Sequence, residues 1–355
     1  MKKFTILISV LFVFSFFSSS LFCQAEASSG GSTKAAIVTD EAEAVIKIMS
    51  KNALGQKLDE ADWQRLFSTE GYVRLKKREH SMGRKFEDST FRAFVLSPVL
   101  MEKYSSLKSA LEGWKKMNVD EAARQALTYL PENTLIKAKI YPVIKPAVNS
   151  FVFETDTDPA IFMYINPSVK PEKLFNTLSH ELHHIGIAMA CGNSERDTTL
   201  KGGLMDALDW MTAFSEGRAV LAAAGGPEIH PHAVSDSLER STWDRNLANA
   251  ERDMKELEEF FLKLIDGRIP EDEKTKEGMK FIQREDAPQG AFYTVGWLMA
   301  STVEKVLGRE RLVASSCDDI LFLSDYNLAA KELNHKGGNL PLWSEKLLSQ
   351  LKMKN

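Results

Sequence analysis

The segment 176–185 reads N-T-L-S-H-E-L-H-H-I and contains the spacing H-E-x-x-H, formed by His180, Glu181 and His184. Residues four apart lie on the same face of a helix, so both imidazoles can bind one metal ion. Zinc accepts neutral imidazole nitrogens, and a catalytic zinc site keeps one position open for water. The motif therefore predicts a zinc helix in which His180 and His184 are ligands. Glu181 would be the general base that takes a proton from water attacking a polarised carbonyl.

The residues around this motif are apolar, which is typical of a core helix. Ionisable groups within such a helix are costly unless something pairs with them, and a metal ion would do so. His183 is an alternative partner for His180, because it lies three residues away. The pair His180 and His184 is preferred, since it leaves Glu181 in the usual position of the base. His183 would then support the site from behind or be exposed.

A third zinc ligand is expected from a second helix, predicted over residues 204–224. Our choice is Glu216, in the run F-S-E-G-R-A, because small residues let two helices approach closely. Glu216 follows His184 by enough residues for a loop over 194–203 and an antiparallel second helix. Asp209, two turns before Glu216, is a candidate acceptor for the second ring N–H of a ligand histidine. Asp206 is a weaker candidate for the same role.

An oxyanion that forms during hydrolysis needs a hydrogen-bond donor besides zinc. Tyr293 is the first candidate and lies at the start of a helix predicted over 291–307. His230 and His232, in the loop after the Glu216 helix, are the alternatives.

The run H-E-L-H-H at 180–184, followed by E-G-R-A at 216–219, resembles the gluzincin class of zinc metallopeptidases. It is more similar to uncharacterised bacterial families of zinc-dependent peptidases, in which H-E-x-x-H-H precedes a later E-G helix. The stretch 291–300 resembles these families too, so the resemblance covers roughly residues 160 to 310. It implies zinc bound by His180, His184 and Glu216, with Glu181 as base. The spacing is longer than in thermolysin-like enzymes, and no carboxylate lies four residues after Glu216.

The hydrophobic pattern predicts an α+β fold that is mainly α and zincin-like. A small β-sheet precedes the H-E-x-x-H helix, and helices flank the core on both sides. An edge strand beside the metal helix could bind an extended peptide. One long helix is predicted over 234–265 and a charged loop over 270–278. The predicted parts are a helical N-terminal part at 35–130, the metal-binding core at 131–235 with strands at 135–144, 150–154 and 160–165, and a helical C-terminal part at 236–355.

The start of the chain predicts a secretory signal peptide over residues 1–25, with Lys2 and Lys3 before an apolar run at 4–17. Cys23 raises the alternative of a lipid anchor, which the bulky Phe22 before it disfavours. Residues 26–34 are rich in glycine and serine and predict a flexible linker. No later stretch has the length and apolarity of a transmembrane helix.

Composition excludes nucleic acid as a partner but does not decide whether two cysteines form a disulfide. A net charge of −4, with 26% charged residues, gives no basic field for nucleic acid. Cys191 and Cys317 remain after signal cleavage. They either form a disulfide, as an exported protein allows, or stay as two buried thiols.

These features predict an exported zinc-dependent metallopeptidase, periplasmic or secreted, that acts on peptide or protein substrates. The first alternative is a non-catalytic exported binding or scaffold protein on a peptidase fold. The second is a zinc hydrolase of a non-peptide amide.

Overall fold

The computed structural model describes residues 31–192, 202–283 and 288–352. These ranges contain four strands, at Ser32–Ile37 (β1), Leu135–Val143 (β2), Phe151–Phe153 (β3) and Ala160–Tyr164 (β4). The first seven helices are Asp40–Ala53 (α1), Glu60–Phe67 (α2), Glu70–Ser81 (α3), Asp88–Val95 (α4), Pro98–Met101 (α5), Tyr104–Lys115 (α6) and Val119–Leu127 (α7). The later helices are Pro171–Cys191 (α8), Gly203–Met211 (α9), Ser215–Ala224 (α10), Ser237–Leu247 (α11), Ala250–Ile265 (α12), Glu271–Ile282 (α13), Ala291–Leu307 (α14), Arg309–Ala314 (α15), Asp319–His335 (α16) and Glu345–Lys352 (α17).

The strands form one mixed sheet in the order β1-β2-β4-β3, which confirms the predicted α+β, mainly α fold. β1 and β4 run parallel to β2, and the short edge strand β3 runs antiparallel to β4. The chain passes from β4 through a short turn into α8, so the sheet lies directly before the helix that carries the H-E-x-x-H motif.

The linker predicted over 26–34 is wrong for Ser32–Lys34, which begin β1. β1 also includes Ala35–Ile37, which were predicted to belong to the helical N-terminal part. Its residues pair in register with β2, from Ser32 opposite Leu135 to Ile37 opposite Ile140. The partner strand lies a hundred residues further along, so no local pattern could indicate this pairing. Residues 1–30, which hold the predicted signal peptide and the rest of the linker, are outside the described ranges.

Three other expectations needed correction within the described residues. The helix predicted over 204–224 is divided by a 3-10 turn at Thr212–Phe214, and that predicted over 234–265 is divided near Ala248. The charged loop predicted over 270–278 is part of α13. Three acidic residues in the first turn of α13 interact favourably with the helix dipole. Gly278, near the end of the helix, packs against the ring of Trp210. The predicted loop 194–203 falls almost entirely outside the described residues.

Two hydrophobic clusters hold the two helices that carry the predicted ligands. The first joins α1–α7 and the sheet to the inner face of α8, including Leu178, Leu182 and Ile185. The second joins α9, α10 and α12–α17 and includes Phe214 and Leu221, on either side of Glu216. The two predicted histidine ligands are thus carried by one cluster and the predicted glutamate by the other. The division of the chain at 130 and 235 stays a prediction. Among the described residues, no helix is long and apolar enough to cross a membrane.

Glu41 is buried in α1 at 1% exposure and makes the stability of this fold depend on pH. One carboxylate oxygen accepts a hydrogen bond from the Ile144 backbone N–H at 3.1 Å, and the other has no partner within the described residues. Burial raises the pKa of Glu41 from 4.5 to about 8. Between those values the folded state holds a proton that the unfolded chain has lost. The stabilisation is therefore complete below pH 4.5 and is lost as pH rises towards 8.

We expect Glu41→Gln to remove this dependence, because an amide needs no proton to remain neutral. Its Tm should exceed that of the wild type by a few degrees at pH 8 and should match it near pH 4.5, in thermal melts followed by circular dichroism. Glu43→Gln is the control, since Glu43 lies at the exposed side of the same helix and pairs with Lys115. An equal gain in Tm at both pH values would contradict the titration of Glu41.

Candidate metal centre

The helix α8 orients the motif by burying its opposite face. Pro171 begins it, at a position where a missing N–H costs nothing. Leu178, Leu182 and Ile185 pack into the first cluster, so the residues between them on the other face, His180 and His184, point towards α10.

Three donor atoms converge between α8 and α10. His180 Nε2 lies 3.0 Å from His184 Nε2, and these atoms lie 3.2 Å and 3.1 Å from Glu216 Oε2. Within the described ranges, these three residues are the group arranged to hold a metal ion. The sequence therefore predicted a trio that the fold brings together across two helices.

The spacing of these atoms fits a tetrahedral ion. Ligand atoms at roughly 2.0–2.1 Å from zinc in tetrahedral geometry lie about 3.3 Å from one another. Two imidazole nitrogens and a carboxylate oxygen that face each other at 3.0–3.2 Å would also repel through their lone pairs unless a proton or a cation lies among them. The donor set, two imidazoles and one carboxylate, is one that zinc accepts in catalytic sites. The residues present therefore fit the ion.

The electrostatics of the trio favour positive charge at its centre. Burial acts to lower the pKa of His184, but the Glu216 carboxylate outweighs burial and raises it to about 9. Burial likewise acts to raise the pKa of Glu216, but His184 and His180 hold it well below its ordinary value. The two histidines and Glu216 therefore hold a proton between them, and the same carboxylate would attract a divalent cation.

A pair of glycines sets the distance between α10 and α14. A Cβ atom added to Gly217 would lie 2.2 Å from the backbone carbonyl carbon of Gly296. The helices therefore pack backbone against backbone. The sequence predicted that the small residues after Glu216 would allow a close approach to the motif helix, whereas Gly217 makes this approach to α14. Glu216 and Tyr293 lie beside this contact and face each other.

Tyr293 borders the ligand trio as predicted, at the start of α14. Its phenol hydrogen-bonds with Glu216, and its ring lies parallel to that of His180 with centroids 6.4 Å apart. Burial, followed by the charge of Glu216, raises the pKa of Tyr293, so the hydroxyl stays protonated and can donate a hydrogen bond. Glu181 borders the same space. Burial raises the pKa of Glu181, and the neighbouring histidines act against that rise.

The alternative oxyanion donors have other partners. His230 bonds with Asp244 at 2.8 Å, and its second ring nitrogen accepts from the His232 backbone N–H. His232 bonds with Ser235 and Gln289 and lines the cleft without being part of the trio. Of the three candidates, the phenol of Tyr293 is the group in contact with a predicted ligand.

The remaining acids and the adjacent histidine are placed as follows. Asp206 pairs with Lys274 at 2.7 Å, an arrangement that gives no support to a role beside the ligands. The role proposed for Asp209 stays a prediction. His183 is buried at 1% exposure, and its ring lies edge-on to that of His184 with centroids 6.4 Å apart. It supports the ligand from behind, one of the two positions expected for it.

The segment 315–319 contacts both helices that carry the predicted ligands. Cys191, the last residue of α8, forms a disulfide with Cys317, so the pair is not two free thiols. Arg218, two residues after Glu216, is buried and donates to the Ser315 carbonyl at 3.3 Å and to Asp319 at 2.9 Å. The segment 315–319 therefore fixes His184 and Glu216 relative to each other. Sequence reasoning missed Arg218, although its place in the E-G-R-A run was a signal.

An open cleft of about 440 Å³ leads to the trio. His180, Glu181 and Tyr293 lie at its base, and Val148 and Ser150, just before β3, form part of one wall. Lys173, His232 and Gln289 lie on its rim. Sequence reasoning did not single out most of these wall residues, because they come from separate helices and loops without a shared motif.

Comparison with known proteins agrees with this chemistry. A family model described as "Putative zinc dependent peptidase (DUF5700)" matches residues 63–335, which is more than half of the chain and includes every residue of the trio. No curated protein and no solved structure matches the chain. The match confirms the resemblance to a zinc metallopeptidase family and identifies zinc as the cofactor. The chain therefore belongs to the family described as "Putative zinc dependent peptidase".

Proposed function

We propose that this protein is an exported metallopeptidase of the gluzincin type that hydrolyses peptide bonds. The observation that carries the proposal is the convergence of His180, His184 and Glu216 at 3.0–3.2 Å, next to an open cleft that His180 lines. Glu181 and Tyr293 border the same space and supply a base and a hydrogen-bond donor. His180, His184 and Glu216 would hold the zinc.

Zinc, when bound, supplies a Lewis acid that polarises a carbonyl and acidifies water. The Glu181 carboxylate accepts the proton of the attacking water and later passes it to the leaving amine. Its partly buried position supports this role, because burial raises the pKa of Glu181 above its ordinary value and makes the carboxylate a stronger base. The Tyr293 hydroxyl donates a hydrogen bond to the oxygen on which negative charge develops. Its raised pKa supports donation, since the phenol does not ionise near neutral pH.

The first test is metal content by mass spectrometry, together with hydrolysis of a mixed peptide library. We expect one zinc per chain in the wild type and at least a hundredfold weaker zinc binding in Glu216→Ala, since a ligand is lost. Asp206→Ala is the matched control, because it removes a carboxylate from the neighbouring helix that pairs with Lys274 instead. Hydrolysis should stop on chelation and return with zinc. Zinc retained at full affinity in Glu216→Ala would contradict the three-ligand centre.

Export is supported by the disulfide between Cys191 and Cys317, since such bonds persist in oxidising compartments. The apolar run at 4–17 is the predicted signal. The mass of the mature N-terminus after expression of the full chain tests this proposal. Cleavage near residue 25 is the expected result, a lipid on Cys23 would support anchoring, and an uncleaved start would contradict the signal peptide.

A further inference from the structure

A second cavity, of about 490 Å³, lies between α11 and the start of α14. Trp243 forms a buried wall at 2% exposure, and Leu238 lies at the opening at 73% exposure. Thr242, Asn246 and Pro288 complete much of the described lining. The cavity falls in the size range of pockets that enclose small ligands, so it can hold one large side chain.

This cavity adjoins the catalytic cleft. Lys173, His232 and Gln289 line both spaces. A hydrogen bond of 2.8 Å between His232 Nε2 and Gln289 Oε1 joins two of these shared residues. Gln289 also lies four residues before Tyr293, so the shared wall is about one helical turn from the proposed oxyanion donor. A polypeptide bound across the cleft can place a side chain in this cavity beside the reacting bond.

The chemistry of the cavity favours an uncharged apolar group. Lys173 is bonded to Glu239 and to Ser235, so the two opposite charges at the rim compensate each other. Burial lowers the pKa of His232, which keeps its ring neutral at physiological pH. The lining that remains combines the apolar surface of Trp243, Leu238 and Pro288 with the side chains of Thr242, Arg245 and Asn246, and most of its accessible surface is apolar. Apolar contact is therefore the main source of binding free energy in the cavity.

Exposed apolar residues at the cleft point to the same occupant. Among the exposed large apolar side chains of the described residues, Val148 and Leu238 are the two most exposed, at 76% and 73%. Val148 lies on the wall of the cleft before β3, and Leu238 at the opening of the second cavity. A peptide bound in the cleft would cover apolar surface on both residues, which favours apolar side chains in that peptide.

We propose that the cavity lined by Trp243 is a specificity pocket. It selects one large apolar side chain, Phe, Leu or Met, next to the bond that is cut. This inference rests on the proposed peptidase function and adds the class of substrate. It makes Leu238, Thr242 and Trp243 specificity-determining residues.

The test uses the full zinc-loaded protein and a set of decapeptides that differ at one position, which carries Phe, Leu, Ala, Gly, Asp or Lys. We expect kcat/KM for Phe or Leu at one position beside the cut bond to exceed that for Gly by about 10- to 100-fold. Thr242→Trp fills the cavity from α11 and should reduce this ratio at least tenfold. Ser241→Trp is the matched control, since Ser241 is its exposed neighbour outside the cavity lining, and the ratio should not change.

Peptide binding to Glu181→Gln, measured by calorimetry, gives a readout that does not depend on turnover. The Phe peptide should bind at least tenfold more tightly than the Gly peptide, and Thr242→Trp in this background should abolish the difference. Hydrolysis without any side-chain preference, or a preference that Thr242→Trp leaves intact, would overturn the pocket but not the peptidase. Absence of hydrolysis of every peptide by zinc-loaded protein would overturn the proposed function, and the pocket with it.

Discussion

Glu181→Gln should lower kcat for peptide hydrolysis by about 10²- to 10⁴-fold while zinc stays bound. Glutamine has the shape of glutamate but cannot accept the proton of the attacking water. The carboxylate of Glu181 is not among the three converging donor atoms, so the metal should remain. The measurement is kcat on a cleaved peptide, with zinc determined by mass spectrometry on the same sample.

The control for this change is Glu172→Gln, the same substitution in the exposed first turn of α8. It should leave both kcat and zinc content unchanged. Full turnover in Glu181→Gln with zinc bound would count against the proposed catalytic mechanism. Loss of zinc in Glu181→Gln would instead mean that this carboxylate helps to hold the metal.

Gly217→Ala should damage the fold and the metal centre together. The new Cβ would lie 2.2 Å from both the Gly296 carbonyl carbon and the Trp297 nitrogen, and backbone atoms cannot turn aside as side chains do. We expect the free energy of unfolding to fall by about 1–3 kcal/mol or more, because α14 must move away from α10. Glu216 and Tyr293 flank the contact, so zinc affinity should fall as well.

Denaturant unfolding and zinc titration of Gly217→Ala test this expectation. Gly113→Ala is the matched control, since Gly113 lies in the exposed interior of α6 and an added Cβ meets nothing within 4 Å. That change should be neutral or stabilising by about 0.5–1 kcal/mol. Equal stability and zinc affinity in Gly217→Ala and the wild type would contradict the close approach of the two helices.

The parts of this site that sequence could predict are those whose information is local. His180 and His184 are one helical turn apart, so their shared face follows from helix geometry alone. Glu216 is separated from the two histidines by a loop and a further helix. It was still predictable, because an acid beside small residues indicated close helix packing. Tyr293 followed from the similar stretch 291–300, since no local spacing relates it to the motif.

The parts that sequence missed depend on contacts between distant segments. β1 is a strand because it pairs with β2, a hundred residues later, and its glycine- and serine-rich start hides it. α3 carries a run of charges, yet Arg74 within it is buried against Glu154 and Asp158 of a later turn. The walls of the cleft come from several helices and loops that are distant in sequence. Binary patterning identifies elements of structure, but the partners of each element emerge only from the tertiary fold.

The bond between Cys191 and Cys317 closes a covalent ring over a sequence separation of 126 residues. Glu216 and Tyr293 lie inside this ring, and His180, Glu181 and His184 lie before it. A single backbone cut within the ring, by another protease or by a second copy of the chain, releases no fragment. The glutamate stays tethered to the histidines at high effective concentration. On a non-reducing gel the nicked protein migrates as one molecule, so only reduction distinguishes an intact chain from a cut one.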